Sequence, residues 1–170
     1  MTVSPEELRS VLRQWASGVT VVTAGLDGVL HGMTVSSFSS VSLEPPLISV
    51  NIERRTRTHA MMVEAGAFGV CILASDQQDL ALRFGGGVPD QEERLEGVAH
   101  RLGELGSPLL EGCLASLECR VHASLPAGTH TVFVGKATEW DADLGVFPLL
   151  YWQREFRSFE EMTDQTPGPG

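Results

Sequence analysis

The sequence predicts a chain dominated by antiparallel β-structure, closed into a barrel with two or three helices at its periphery. Three observations carry that expectation. Short Val-, Ile- and Thr-rich runs recur between turn residues along most of the chain. Consecutive runs are joined as hairpins, at Asp27-Gly28 and Pro126-Ala127-Gly128, and not by the strand–helix–strand alternation of a parallel sheet. Helical caps or periodicity mark only a few segments, which favours an antiparallel barrel over a doubly wound sheet.

At the N-terminus, Ser4-Pro5-Glu6-Glu7 has the form of a capping box with Pro at the first helical position. It predicts a helix to about Ala16 whose residues Leu8, Val11, Leu12 and Trp15 form a buried face. A strand follows over residues 18–24, and Asp27-Gly28 turns the chain into a second over 29–35. The serine-rich stretch after it keeps alternating apolar residues until Pro45-Pro46. Residues 47–52 read as a strand, 58–65 as a short helix closed by Gly66, and 68–73 as a buried strand. Ser75 to Gln78 suggests another capping box, opening a helix that ends near Phe84 before Gly85-Gly86-Gly87 breaks it. Residues 88–101, polar and weakly periodic, predict a mobile loop over the core, a candidate lid. Strands resume over 114–124, 129–140 and 147–152.

The 170 residues, 42% of them hydrophobic, suffice for one core. The expectation is one domain over residues 1–160 and a disordered tail over 161–170, which ends in Thr-Pro-Gly-Pro-Gly. No apolar run approaches the ~20 residues of a membrane-spanning helix, and the N-terminus does not read as a secretory signal, so a cytoplasmic protein is expected. Cys71, Cys113 and Cys119 contain no CxxC pair, which argues against a disulfide framework or zinc site. The net charge of −10 disfavours nucleic acid and anionic membranes as partners. An anionic ligand therefore needs a locally positive spot, and arginines concentrate at Arg54, Arg55 and Arg57 and again at Arg154 and Arg157.

Two segments carry candidate chemistry. Gly32 to Pro46 gathers small hydroxyl residues, among them Thr34, Ser36 and Ser37, where backbone and hydroxyl donors can approach a planar ring closely; the same composition fits a strand pair whose hydroxyls face water. Asn51 to His59 places hydroxyls and arginines just before a predicted helix, where free N–H groups, the helix dipole and guanidinium charge favour phosphate. An ordinary charged turn with Thr58 as N-cap and His59 at the surface fits equally. His130 begins a strand after a turn, at the rim where ligands are met. The histidines are too dispersed for a metal motif, and neither GxSxG nor a phosphate-binding glycine loop is present.

Taken in order, the segments Trp15–Thr23, Gly32–Leu47, Arg54–Met62, Phe68–Leu73 with Gln77–Phe84, Ser107–Cys119, His130–Trp140 and Pro148–Phe159 resemble the flavin reductase-like family, the short reductases that supply reduced flavin to two-component monooxygenases. The resemblance implies a split β-barrel of Greek-key type, normally a homodimer, with FMN or FAD near the subunit interface and NADH or NADPH as co-substrate. It further implies that Thr34, Val35, Ser36 and Ser37 line the flavin ring and ribityl chain, and that Thr56, Arg57 and Thr58, with Asn51, hold the phosphate. It matches His130 to the histidine that meets the nicotinamide, and Tyr151, Arg154 and Phe156 to a C-terminal segment reaching the flavin. Cys71 stands where many relatives carry asparagine, and Leu95 where an aromatic residue commonly follows Arg94. The resemblance leaves open a flavin-binding electron-transfer or oxidase-like module that holds its flavin tightly.

Overall fold

Alternating apolar residues between tight turns leave the chain little choice but strands. In the computed structural model, which describes residues 2–87 and 94–158, the predicted runs become such elements within a residue or two at most ends. They are α1 (Pro5–Leu12), β1 (Ser17–Gly18), β2 (Thr20–Leu26), β3 (Val29–Val35), β4 (Ser39–Ser42), β5 (Leu47–Glu53), α2 (Arg57–Ala65) and β6 (Ala67–Ile72). There follow α3 (Gln78–Leu82), continuing into a π-helical turn (Arg83–Gly87), β7 (His100–Leu102), β8 (Pro108–Leu110), β9 (Ala115–Ala127), β10 (His130–Ala142), β11 (Leu149–Trp152) and β12 (Glu155–Ser158). None of the described helices is long and apolar enough to cross a membrane.

Seven strands form one antiparallel sheet in the order β3-β2-β6-β9-β10-β5-β4, beside a small sheet β1-β11-β12 and the pair β7-β8. The fold is thus mostly β and antiparallel with three helices, as expected, but among the described residues no ladder closes the large sheet. The connection from β3 to β4 runs between its two edges: Val35 is still paired with Thr20 of β2, whereas Ser39 is already paired with Ser49 of β5.

Both faces of β2 are buried. Val22 and Ala24 pack with Val50, Ile52, Phe68 and Phe133 under Met61 and Met62 of α2, while Val21 joins Cys71, Leu73, Phe84, Leu109 and Leu149 on the other side. Each such side chain contributes roughly 1.5–3 kcal/mol on burial, so these two clusters hold the sheet between its helices. α2 begins at Thr56, whose hydroxyl accepts from His59 N at 3.3 Å, and ends at Gly66 in the left-handed conformation. His59 is no mere surface residue: its Nε2 meets Thr131 Oγ1 at 2.8 Å and its ring packs edge-on against Phe133.

Four expectations need correction. The capping box of α1 forms, but the helix ends at Leu12 and none of its residues is buried; Leu8, Val11, Leu12 and Trp15 are all exposed because no element among the described residues packs over that face. The strand expected over residues 18–24 is divided at Val19, whose N–H donates to Leu149 O while its carbonyl accepts from Leu73 N, so Ser17 and Gly18 pair with β11 instead. The second capping box does not form. Ser75 N is drawn to Phe147 O, and the Gln77 carboxamide is spent on Ala74 N and Glu111 O, so tertiary pairing overrides the local cap. Finally, the candidate lid falls partly at residues 88–93, outside those described, and the remainder is fastened to the core. Arg94 and Leu95 are buried, Arg94 Nη1 donates to Phe84 O at 3.1 Å, and Arg83 Nε donates to Arg94 O at 2.7 Å. The tail over 161–170 also lies outside the described residues.

Candidate functional site

The crossing between sheet edges creates the site. At Ser36 to Phe38 the chain has left β2 and not yet joined β5, so its backbone is free of either ladder. The Ser37 hydroxyl bridges the gap, accepting from Asn51 N at 2.9 Å and donating to Asn51 O at 3.2 Å. That contact continues the β4–β5 register, in which Ser39 faces Ser49, two residues beyond the last paired position. On the other flank Thr34 Oγ1 donates to Ala81 O at 2.7 Å and ties α3 to β3.

Three hollows of about 430, 530 and 480 Å³ meet here, and Ser36 lines all of them. They form one groove, each part within the ~300–1,000 Å³ usual for small-molecule sites. The first part is walled by Val19, Ala81, Leu82 and Phe156 and reaches Thr34, Val35, Tyr151 and Arg154. The second runs from Ser37 and Asn51 to Glu53 and His130. The third passes along α1, where Arg9, Arg13 and Trp15 face Ser37, Asn51 and Arg154.

His130 is the first residue of β10, opposite Glu53 of β5. Thr129 Oγ1 contacts its Nδ1 at 2.9 Å, and the residue lines the second part of the groove. Glu53 would repel an anion in this part of the groove. It is held by Arg55, whose Nη2 donates to Oε1 at 2.7 Å; that bond and the guanidinium charge keep the carboxyl below its ordinary pKa and leave the pair neutral overall. Burial, and then the charge of Arg54, lower the pKa of His59, so it stays neutral within α2.

Tyr151 lies on β11 with its ring centroid 5.3 Å from that of Phe156. Arg154 sits in the two-residue turn joining β11 to β12, at φ 70°.

Of the residues expected to act, Thr34, Val35, Ser36, Ser37, Asn51, His130, Tyr151 and Arg154 line this groove. The expected phosphate trio does not line it. Thr56 is the N-cap of α2 and also donates to Glu53 O, Thr58 is buried with its hydroxyl 2.8 Å from His31 Nδ1, and Arg57 is half-buried on the first turn of α2. Sequence reasoning missed the apolar wall and the α1 side of the groove. Arg9 and Arg13, four apart on one helix face of an acidic chain, were the available signal.

The groove joins an apolar wall to an edge of hydroxyls, exposed amides and a guanidinium. That donor set suits a planar ring with carbonyl acceptors and an anionic arm. In the comparisons, the model of the flavin reductase like domain matches residues 12–160. An NADH-dependent flavin reductase of a Rhodococcus species is 41% identical over 97% of this chain and 92% of its own. The reductase component of 4-hydroxyphenylacetate 3-monooxygenase from Thermus thermophilus is 37% identical, over 89% and 95% respectively. The solved structure of an NADH:FAD oxidoreductase from Streptomyces globisporus superposes with a TM-score of 0.86 at 33% identity, covering 94% of this chain and 97% of that one. A domain match over most of the chain, together with relatives of full length, establishes that the chain belongs to the flavin reductase like family.

Proposed function

We propose that this protein is an NAD(P)H:flavin oxidoreductase that transfers a hydride from NADH or NADPH to FMN or FAD and hands the reduced flavin to a partner monooxygenase. The observation that carries the reading is the meeting of four stretches distant in sequence, at Thr34–Ser37, Asn51, His130 and Tyr151–Arg154, around one groove. The names of the Rhodococcus and Thermus relatives support the activity and the partner class.

The flavin supplies the electron-accepting ring. The chain would bind and orient it: the Ser36 hydroxyl and the amides of residues 36–38, which lie outside both ladders, would donate to the ring's polar edge, Tyr151 and the apolar wall would hold the ring and exclude water, and Arg154 would face an anionic group of the ligand. His130 would orient the nicotinamide by hydrogen bonding and need not transfer a proton. Arg57 and the first-turn amides of α2 do not line the groove and would meet a phosphate only on a ligand that extends past Glu53, while the Thr56 and Thr58 hydroxyls are engaged in holding the helix.

The finer fold assignment is a split, Greek-key barrel. Flat, seven strands at ~4.8 Å spacing would put the sheet edges ~29 Å apart, yet the link from Val35 to Ser39 can reach at most ~14 Å. The sheet must therefore curl until its edges nearly meet. A homodimer is the matching assembly, because the groove lies open beside the uncovered face of α1.

The test is NADH and NADPH oxidation in the presence of FMN or FAD, together with stopped-flow reduction. Activity proportional to added free flavin is expected; flavin that stays with the protein through gel filtration and never turns over would indicate an electron-transfer module instead. His130→Ala should leave flavin affinity within about 2-fold and slow reduction by about 10-fold or more, in the range of a lost positioning contact. Unchanged reduction rates would remove His130 from the site.

A further inference from the structure

We propose, resting on the flavin reading of the groove, that its α1 arm binds the adenosine diphosphate half of FAD, so that the protein selects FAD over FMN. Arg13 and Arg154 hold the diphosphate, and Trp15 stacks on the adenine. The three arms of the groove diverge from Ser36 and differ in chemistry. The first is walled by apolar side chains and suits the ring. The second ends at His130 and Glu53, whose carboxylate disfavours an anion. The third, about 480 Å³, is lined by Arg9, Arg13, Arg154 and Trp15 and by no carboxylate. In a chain of net charge −10 it is a locally positive place, which an anionic ligand requires.

Two turns assemble this arm. Arg13 caps the C-terminus of α1, and its carbonyl accepts from Gln153 N at 3.2 Å. Gln153 immediately precedes Arg154, so that bond sets the two arginine-bearing turns side by side. Neither guanidinium is spent elsewhere: among the described residues no carboxylate pairs with Arg13 or Arg154, whereas Arg9 is paired with Glu6 at 3.0 Å. Uncompensated like charges on adjoining turns repel each other, and an anion between them offsets that cost. A diphosphate supplies the anion and accepts charge-assisted bonds from both guanidiniums.

Trp15 stands just past the end of α1, its N–H donating to Leu12 O at 3.1 Å, and is exposed although it lines the arm. An exposed indole offers a flat face to a base, and such stacking is worth about 10-fold or more in affinity. The order of the ligand along the groove follows from the shared lining. Ser36, Tyr151 and Arg154 border both the first and the third arm, so a ligand with its ring in the first passes its phosphates across Arg154 into the third. FMN ends at its single phosphate. FAD continues past Arg13 to Trp15.

The test is calorimetric titration of the full chain with FAD and with FMN in the absence of NADH, followed by displacement of bound FAD with ADP. Wild type should bind FAD at least ~10-fold more tightly than FMN, and millimolar ADP should displace FAD. Arg13→Gln and Trp15→Leu should each lower the FAD-to-FMN affinity ratio by about 10-fold, and Arg13→Lys, which keeps the charge, should recover part of the loss. The ratio is the readout because a partly folded variant binds less of both flavins and leaves it unmoved. Equal affinity of wild type for the two flavins, or variants that weaken both alike, would overturn the proposal. So would a raised KM for NADH at an unchanged flavin ratio, which would give the arm to the adenosine of the nicotinamide nucleotide. Protein that takes up neither flavin would sink the flavin reading and this site together, and the missing FMN binding tells that outcome from the others.

Discussion

Arg154 stands at φ 70° directly after Gln153 at φ 51°, two left-handed residues in the turn between β11 and β12. Such turns ordinarily take Asn-Gly, because a side chain in that conformation costs roughly 1–2 kcal/mol. The β2–β3 hairpin obeys the rule with Asp27 and Gly28, both at positive φ, and was readable for that reason. Gln153-Arg154 breaks it, and β12 was therefore invisible in the sequence. A residue kept in an unfavourable conformation at the lip of a groove points to work done by its side chain. Arg154→Gly should accordingly raise stability by about 1 kcal/mol while weakening flavin affinity by about 10-fold, the scale of a lost charge-assisted contact. Urea unfolding and flavin fluorescence titration read the two effects separately; a variant that loses stability, or binds flavin as well as wild type, contradicts this role. Thr58 shows the opposite limit of sequence reading. Its hydroxyl looked available for phosphate, and only the fold reveals His31, twenty-seven residues earlier, already bonded to it.

At the scale of elements, the connection between β7 and β8 is held by one buried carboxylate. Glu118 on β9 accepts from Leu105 N at 2.7 Å and Ser107 N at 2.8 Å, and a Cβ added at Gly103 would stand 2.5 Å from that carboxylate. Replacing Glu118 by Gln sets an amide N–H₂ against one of these donors, an unmade buried bond worth about 1–3 kcal/mol. Gly103→Ala should also destabilise wild type but cost much less in a Glu118→Ala background, where the obstructing group is gone. A urea-unfolding double-mutant cycle measures the coupling, and strictly additive losses would show that the carboxylate does not pin this turn. The strands that could be read from sequence were those whose own residues specify them: β2, β3, β5, β6, β9 and β10 alternate or bury whole runs between turn residues. β1, β4, β7 and β8 are short and exist because partners are supplied from elsewhere in the chain, as Tyr151 is for Ser17 and Leu110 for His100. The groove was legible to the same degree. Its hydroxyl-rich strand, histidine and C-terminal arginine could be named from local composition, but the wall from α3 and the arm from α1 depend on how the sheets pack.

For the molecule as a whole, the unresolved force balance is at α1. An eight-residue helix is far below the ~12–15 residues at which even favourable sequences hold a helix alone in water. Its own capping box is one support, and Gln153, bonded to Arg13 O at 3.2 Å and to Gln14 at 3.5 Å, is another. Neither covers its apolar face: Leu8 is 51%, Val11 67%, Leu12 58% and Trp15 75% exposed. Exposed apolar side chains gathered on one helix face mark a contact surface, and a second copy of the chain would shield them while closing the open side of the groove that α1 borders. Leu8 and Val11 do not line the groove, so they separate assembly from ligand binding. In sedimentation velocity wild type should run as a dimer, and Leu8→Glu with Val11→Glu as a monomer. Melting temperature should rise with protein concentration for wild type and stay constant for the variant, since association stabilises only the folded chain. Flavin affinity should drop with dimer loss although no groove residue has changed. A monomeric wild type would remove the homodimer, and a variant that stays dimeric would move the interface away from α1.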